Sequence, residues 1–242
     1  MVAIAAGCGA SYGGPAPLSD FPKPSLTVSH QGAGNSDSFS ATLDFDDIDW
    51  CDVLESDAFA RLNGRSVPLF RGEVRVIPPQ GDDGGVECRH PSVTLDQVPS
   101  DLSAPWTFEI GDSSRSLSAT FAAAPIGPVV LSNPVLTNAA LTLALQRQAG
   151  DTTVINGQAT LSASDGQSTV SSAEAGQDGI LFPTFTALFP PGPVTAAVVL
   201  NYFSADQLLD CQAPRCTLAM GSGVSGVPTT STFTVQLVTP AD

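Results

Sequence analysis

Apolar side chains recur at every second position through much of the chain. Phe39, Ala41, Leu43 and Phe45 alternate with Ser40, Thr42 and Asp44. Trp106, Phe108 and Ile110 repeat the pattern, as do Leu117, Ala119 and Phe121, then Leu141, Leu143 and Leu145, and last Phe233, Val235 and Leu237. A period of two sends successive side chains to opposite faces, so each row predicts a strand with one buried and one wet face. A helix would need its apolar residues three and four apart. Val194 to Phe203 is apolar on both faces for much of its length, which predicts a central strand. Gly and Pro number 22 and 20, enough to punctuate many short strands with turns. The fold class that follows is all-β.

Turn chemistry and linkers suggest the organisation. Leu62-Asn63-Gly64-Arg65 and Ile155-Asn156-Gly157-Gln158 each set an Asn-Gly pair between strand-like residues. Asn-Gly suits a type I′ turn, whose two central residues need positive φ, so both are predicted hairpins. They lie about one sandwich length apart, roughly 100 residues. Ala124-Pro125-Ile126-Gly127-Pro128 reads as a short stiff linker. The expected arrangement is a start and flexible tether over 1–24, rich in Gly and Pro from Gly9 to Pro24, then antiparallel β-sandwich domains over 25–124 and 125–242. In architecture these resemble immunoglobulin-like or fibronectin-like Greek-key sandwiches, although the Cys-Trp-Cys order of antibody domains is missing. Ser204 and Gln207 make a capping-box pattern that predicts one helical turn. Phe182, Phe185 and Phe189, interleaved with prolines, are expected to pack onto the second core rather than to form an exposed platform.

The five cysteines, Cys8, Cys51, Cys88, Cys211 and Cys216, leave one thiol without a mate. Cys211-Gln-Ala-Pro-Arg-Cys216 closes a small loop, and pairing Cys51 with Cys88 keeps each bridge inside one expected domain. A zinc site fails on spacing, because no Cys-x2-Cys occurs. Cys8 is the odd one out. Its context, Ile4-Ala5-Ala6-Gly7-Cys8-Gly9, resembles the lipobox of bacterial lipoproteins, in which the cysteine sulfur carries a diacylglycerol. That resemblance implies export, a lipid anchor on Cys8 and a membrane partner. Seven residues are too few for a signal-peptide core, so the natural start is expected upstream. Lys23 is the single lysine, an arginine bias that accords with a GC-rich bacterial genome.

A net charge of −15 with no basic stripe excludes nucleic acid, which demands clustered Lys and Arg. Asp44, Asp46, Asp47 and Asp49 form the densest acidic cluster. Two readings stand there: hard oxygen ligands for calcium, or the solvated end of a strand. No other cofactor is expected. Gly111-Asp112-Ser113-Ser114 superficially resembles the nucleophile block of Gly-Asp-Ser hydrolases, but no histidine follows position 90, and the block is expected to be a hairpin loop. His30 and His90 are the only imidazoles and neither sits in a nucleophile context; both are expected to be structural or surface residues. The expected function is a non-catalytic, lipid-anchored cell-envelope protein that binds a protein or glycan or acts as a spacer. One alternative is a structural subunit of a surface appendage or coat that assembles through strand edges. The other is a carboxylate-dependent hydrolase, for which acids are plentiful.

Overall fold

A computed structural model describes residues 14–33, 36–45, 53–77, 85–99, 102, 104–137, 139–148, 151–183, 189 and 192–238. Cys8, Cys51, Asp46, Asp47 and Asp49 lie outside the described residues. Among those described there is no α-helix, only a 3-10 turn over Leu18–Asp20. The chain is all-β. In order the strands are β1 (Pro24–Ala33), β2 (Ser36–Phe45), β3 (Phe59–Leu62), β4 (Arg65–Val67), β5 (Glu73–Ile77), β6 (Gly85–Arg89), β7 (Ser92–Leu95), β8 (Trp106–Gly111) and β9 (Ser116–Ala123). They continue with β10 (Val130–Thr137), β11 (Ala140–Gln146), β12 (Val154–Ala163), β13 (Ser168–Glu174), β14 (Gly179–Pro183), β15 (Pro193–Cys211), β16 (Arg215–Leu218), β17 (Gly223–Ser225) and β18 (Thr229–Val238).

The alternating rows become the cores. Phe39, Ala41, Leu43 and Phe45 of β2 are buried with Trp106, Phe108 and Ile110 of β8 and Leu117, Ala119 and Phe121 of β9. Leu141, Leu143 and Leu145 of β11 are buried with Val194, Ala196, Val198 and Leu200 of β15. A fully buried side chain of this size contributes about 1.5–3 kcal/mol, so each row is a major source of stability. The Val194–Phe203 stretch is indeed central: it pairs with β12 on one side and, over Pro193–Leu200, with β18 on the other.

Two compact units result. One comprises the chain up to Gly32, Ser36–Ala123 and Asp206–Gly223; the other comprises Ala33–Asn35, Ala124–Ala205 and Val224–Asp242. The break after Ala123 falls at the Pro-rich linker, but residues 206–223 leave the expected 125–242 domain. The cause is the length of β15. Over its 19 residues it pairs with β12 and β18, and then, from Asp206 to Cys211, with β9. The end of β15 and the β16 strand that follows put Cys211 and Cys216 into the first unit.

Four further expectations are corrected. The sheets are mixed rather than purely antiparallel, because β1 runs parallel to β16 and β10 parallel to β18. Neither pair is joined by a hairpin, so no tight turn imposes direction. Residues 16–21 do not form a tether. Ala16 bridges Leu54, and Leu18 and Phe21 are buried in the first core. Ser204 starts no helical turn; it is a buried residue of β15, where pairing on a long strand overrides a local cap signal.

The fourth correction concerns the Asn-Gly pairs. Asn63 and Gly64 make the expected hairpin between β3 and β4, with φ of 49° and 77°. Asn156 and Gly157 instead lie inside β12. A Cβ on Gly157 would stand 2.6 Å from both Ile180 Cδ1 and Phe182 Cζ. The glycine is there for close packing, not for a turn. Phe182 is buried and Phe189 packs against the same core, while Phe185 lies outside the described residues.

Candidate functional site

The densest buried polar constellation is in the first unit, around His30. In β1 the inward face carries Leu26, Val28 and His30, so strand parity turns the imidazole into the core. It is 2% exposed and lies beside Trp106 and Phe121, with ring centroids 5.1 and 6.4 Å away. Its Nδ1 faces Asp206 Oδ2 at 3.4 Å, and its Nε2 faces Asp37 Oδ1 at 3.7 Å. Neither ring nitrogen makes a hydrogen bond.

Ser222 completes the group. Its hydroxyl donates to Asp206 Oδ2 at 2.5 Å and accepts the His30 backbone N–H at 2.9 Å. The Asp206 N–H in turn donates to the Ser222 carbonyl at 3.0 Å. The turn that presents Ser222 is tight, with Gly221 at φ 80° and Met220 wholly exposed at its tip. Serine, histidine and aspartate are thus together, but in the wrong order for acyl transfer. A nucleophilic serine must give its proton to an imidazole nitrogen, and that imidazole must be oriented by the acid. Here the hydroxyl proton goes to the acid, and the histidine contributes its main chain. The arrangement ties β1, the start of the last segment of β15 and the 219–222 turn together.

Gly111-Asp112-Ser113-Ser114 forms the loop between β8 and β9, as expected. Asp112 is buried, and its carboxylate accepts four donors: the Leu18 N–H, the Ser114 N–H at 2.7 Å, the Ser114 hydroxyl at 2.5 Å and the Arg115 N–H at 3.1 Å. Desolvation by itself pushes this carboxyl up. The Leu18, Ser114 and Arg115 donors more than offset it and hold Asp112 below the ordinary aspartate range. Arg115 also donates to the Phe21 carbonyl at 3.1 Å, so this loop fastens the N-terminal segment. Ser113 offers no nucleophile geometry; its N–H donates to Asp57 at 3.2 Å.

A similar knot stands in the second unit. Arg147 donates to the carbonyls of Thr153 at 2.6 Å and Gly176 at 3.3 Å. Asp151 is held below its ordinary range by Thr153 first, with desolvation opposing, and then by the Arg147 charge; the Thr153 N–H donates to its Oδ1 at 2.8 Å.

The remaining expected site residues separate. Asp44 sits on β2 with Oδ1 3.8 Å from His90 Nδ1, both half exposed. Among the described residues no group of three or more His, Cys, Asp or Glu side chains is arranged to hold a metal. Cys211 and Cys216 form a disulfide with Cα atoms 5.9 Å apart. Cys88 is disulfide-bonded, and Cys51, the partner expected for it, lies outside the described residues. Sequence reasoning missed the His30 group, whose members are far apart in the chain. The one available signal was parity: His30 continues the inward row of Leu26 and Val28. No protein-family model matches the chain, and no curated protein matches its sequence.

Proposed function

We propose that the chain is a non-catalytic, exported cell-envelope protein, lipid-anchored through Cys8, whose immunoglobulin-like sandwiches serve as a binding or spacer module. The observation that carries this reading is the Cys211–Cys216 disulfide in an all-β chain. Such bonds persist in oxidising compartments and are rare where glutathione keeps thiols reduced. The wiring of Ser222 adds to it, because a hydroxyl already committed to Asp206 is no nucleophile. The small residues before Cys8 support the anchor. The test is intact mass after expression, with the native upstream sequence, in a Gram-negative host. The expected species carries a diacylglycerol on Cys8 and has lost four hydrogens through two disulfides. A cytoplasmic product with five free thiols would overturn the reading.

A further inference from the structure

The outward face of β13, β12, β15 and β18 carries polar, mostly uncharged side chains beside the exposed Val170. In register across the strands, Glu174, Asn156 and Asn201 form one row, and Ser172, Gln158, Val199 and Thr230 the next. Farther along, Thr232 pairs with Ala197 and Thr234 with Thr195. Glu174 is the single charged side chain in these rows, and it stands at a corner. Between Asn156, Gln158, Ser172 and Asn201 the face dips into a depression of about 460 Å³, with Val199 contributing to its lining. The four polar side chains are exposed, and none is tied to another described residue by a hydrogen bond.

Each feature narrows the occupant. Three primary carboxamides bring two N–H donors and one carbonyl acceptor apiece, which match pairs of neighbouring hydroxyls that both donate and accept. An aliphatic residue at the depression suits the C–H face of a sugar ring. With one charge in the rows, nothing recruits a polyanion or polycation. A protein partner calls for aromatic, Met and Arg side chains at the centre of an interface and for few serines, the reverse of this composition. Strands about 4.8 Å apart and side chains about 6.8 Å apart along them repeat the same chemistry across the face, which favours a long chain over a single small molecule.

We propose that this face binds an uncharged polysaccharide, gripped at the depression by Asn156, Gln158, Ser172 and Asn201. The proposal deepens the binding-module reading and rests on it. It is tested on the full chain by native electrophoresis through gels containing hydroxyethyl cellulose, dextran or mannan, with anionic polygalacturonate as the contrast. The expected result is retardation by at least one neutral polymer, unchanged between about 0.05 and about 0.5 M salt, because no ion pair is involved. The triple variant Asn156→Ala, Gln158→Ala, Asn201→Ala should weaken it about tenfold or more, with thermal unfolding unchanged. No retardation by any of the three neutral polymers would overturn the proposal. So would retardation by polygalacturonate alone, or equal retardation of the variant, or self-association that the variant abolishes. The readout does not depend on Cys8, so failed lipidation and failed binding are told apart.

Discussion

Asp112 gathers four hydrogen bonds onto one buried carboxylate and thereby fixes the β8–β9 loop to the segment that begins at Leu18. Its acidity is depressed in the fold. The stability it adds is therefore fully present above the unfolded aspartate value of 3.8 and is lost as pH falls through the lower folded value. Asp112→Asn should cost about 1–3 kcal/mol at neutral pH, since an amide cannot accept at both oxygens. The difference between variant and wild type in urea midpoint should shrink below about pH 4. A gap that stayed constant down to pH 2 would count against the charge as its source. That this loop is a hairpin was legible from the flanking alternation. That its aspartate holds the N-terminal segment was not, because Leu18 is 94 residues away and nothing local marks the contact. Gly157 teaches the same lesson: a turn residue by composition, it is a packing residue by virtue of Ile180 and Phe182.

At the scale of elements, local chemistry spoke clearly where neighbours in sequence are neighbours in space. Asn63-Gly64 turns because both residues adopt positive φ, and Cys211 reaches Cys216 across a turn that contains Pro214. The disulfide closes β15 onto β16, the strand that lies parallel to β1. Replacing both cysteines with serine should lower stability by about 2 kcal/mol, the loop-closure entropy of so short a ring. Calorimetry of the two proteins under oxidising conditions checks it, and equal midpoints would show that the bond adds no stability. Ser204 failed as a cap signal for the opposite reason. Pairing along β15 outweighs a preference worth about 1 kcal/mol. The parallel pairs β1·β16 and β10·β18 were illegible because no turn encodes them.

For the whole molecule, alternation revealed the all-β class, while the return of residues 206–223 to the first unit left no mark in composition. Without them β9 loses the partner that covers Ala119 to Ala123, and β1 loses β16. A fragment ending at Ala123 should therefore show no cooperative thermal transition, and a peptide of residues 206–223 added in trans should restore one. A sharp transition in the fragment alone would refute the unit assignment. The His30 group spans the same gap, which is why its three members came together only in space.

Synthesis runs from one end to the other, and domains commonly fold as they leave the ribosome. Here β9 can gain its β15 partner only once Asp206–Cys211 has emerged, by which point residues 124–205 of the second unit are already out. Any factor that must handle the first unit before it closes therefore acts while residues 124–205 are being made.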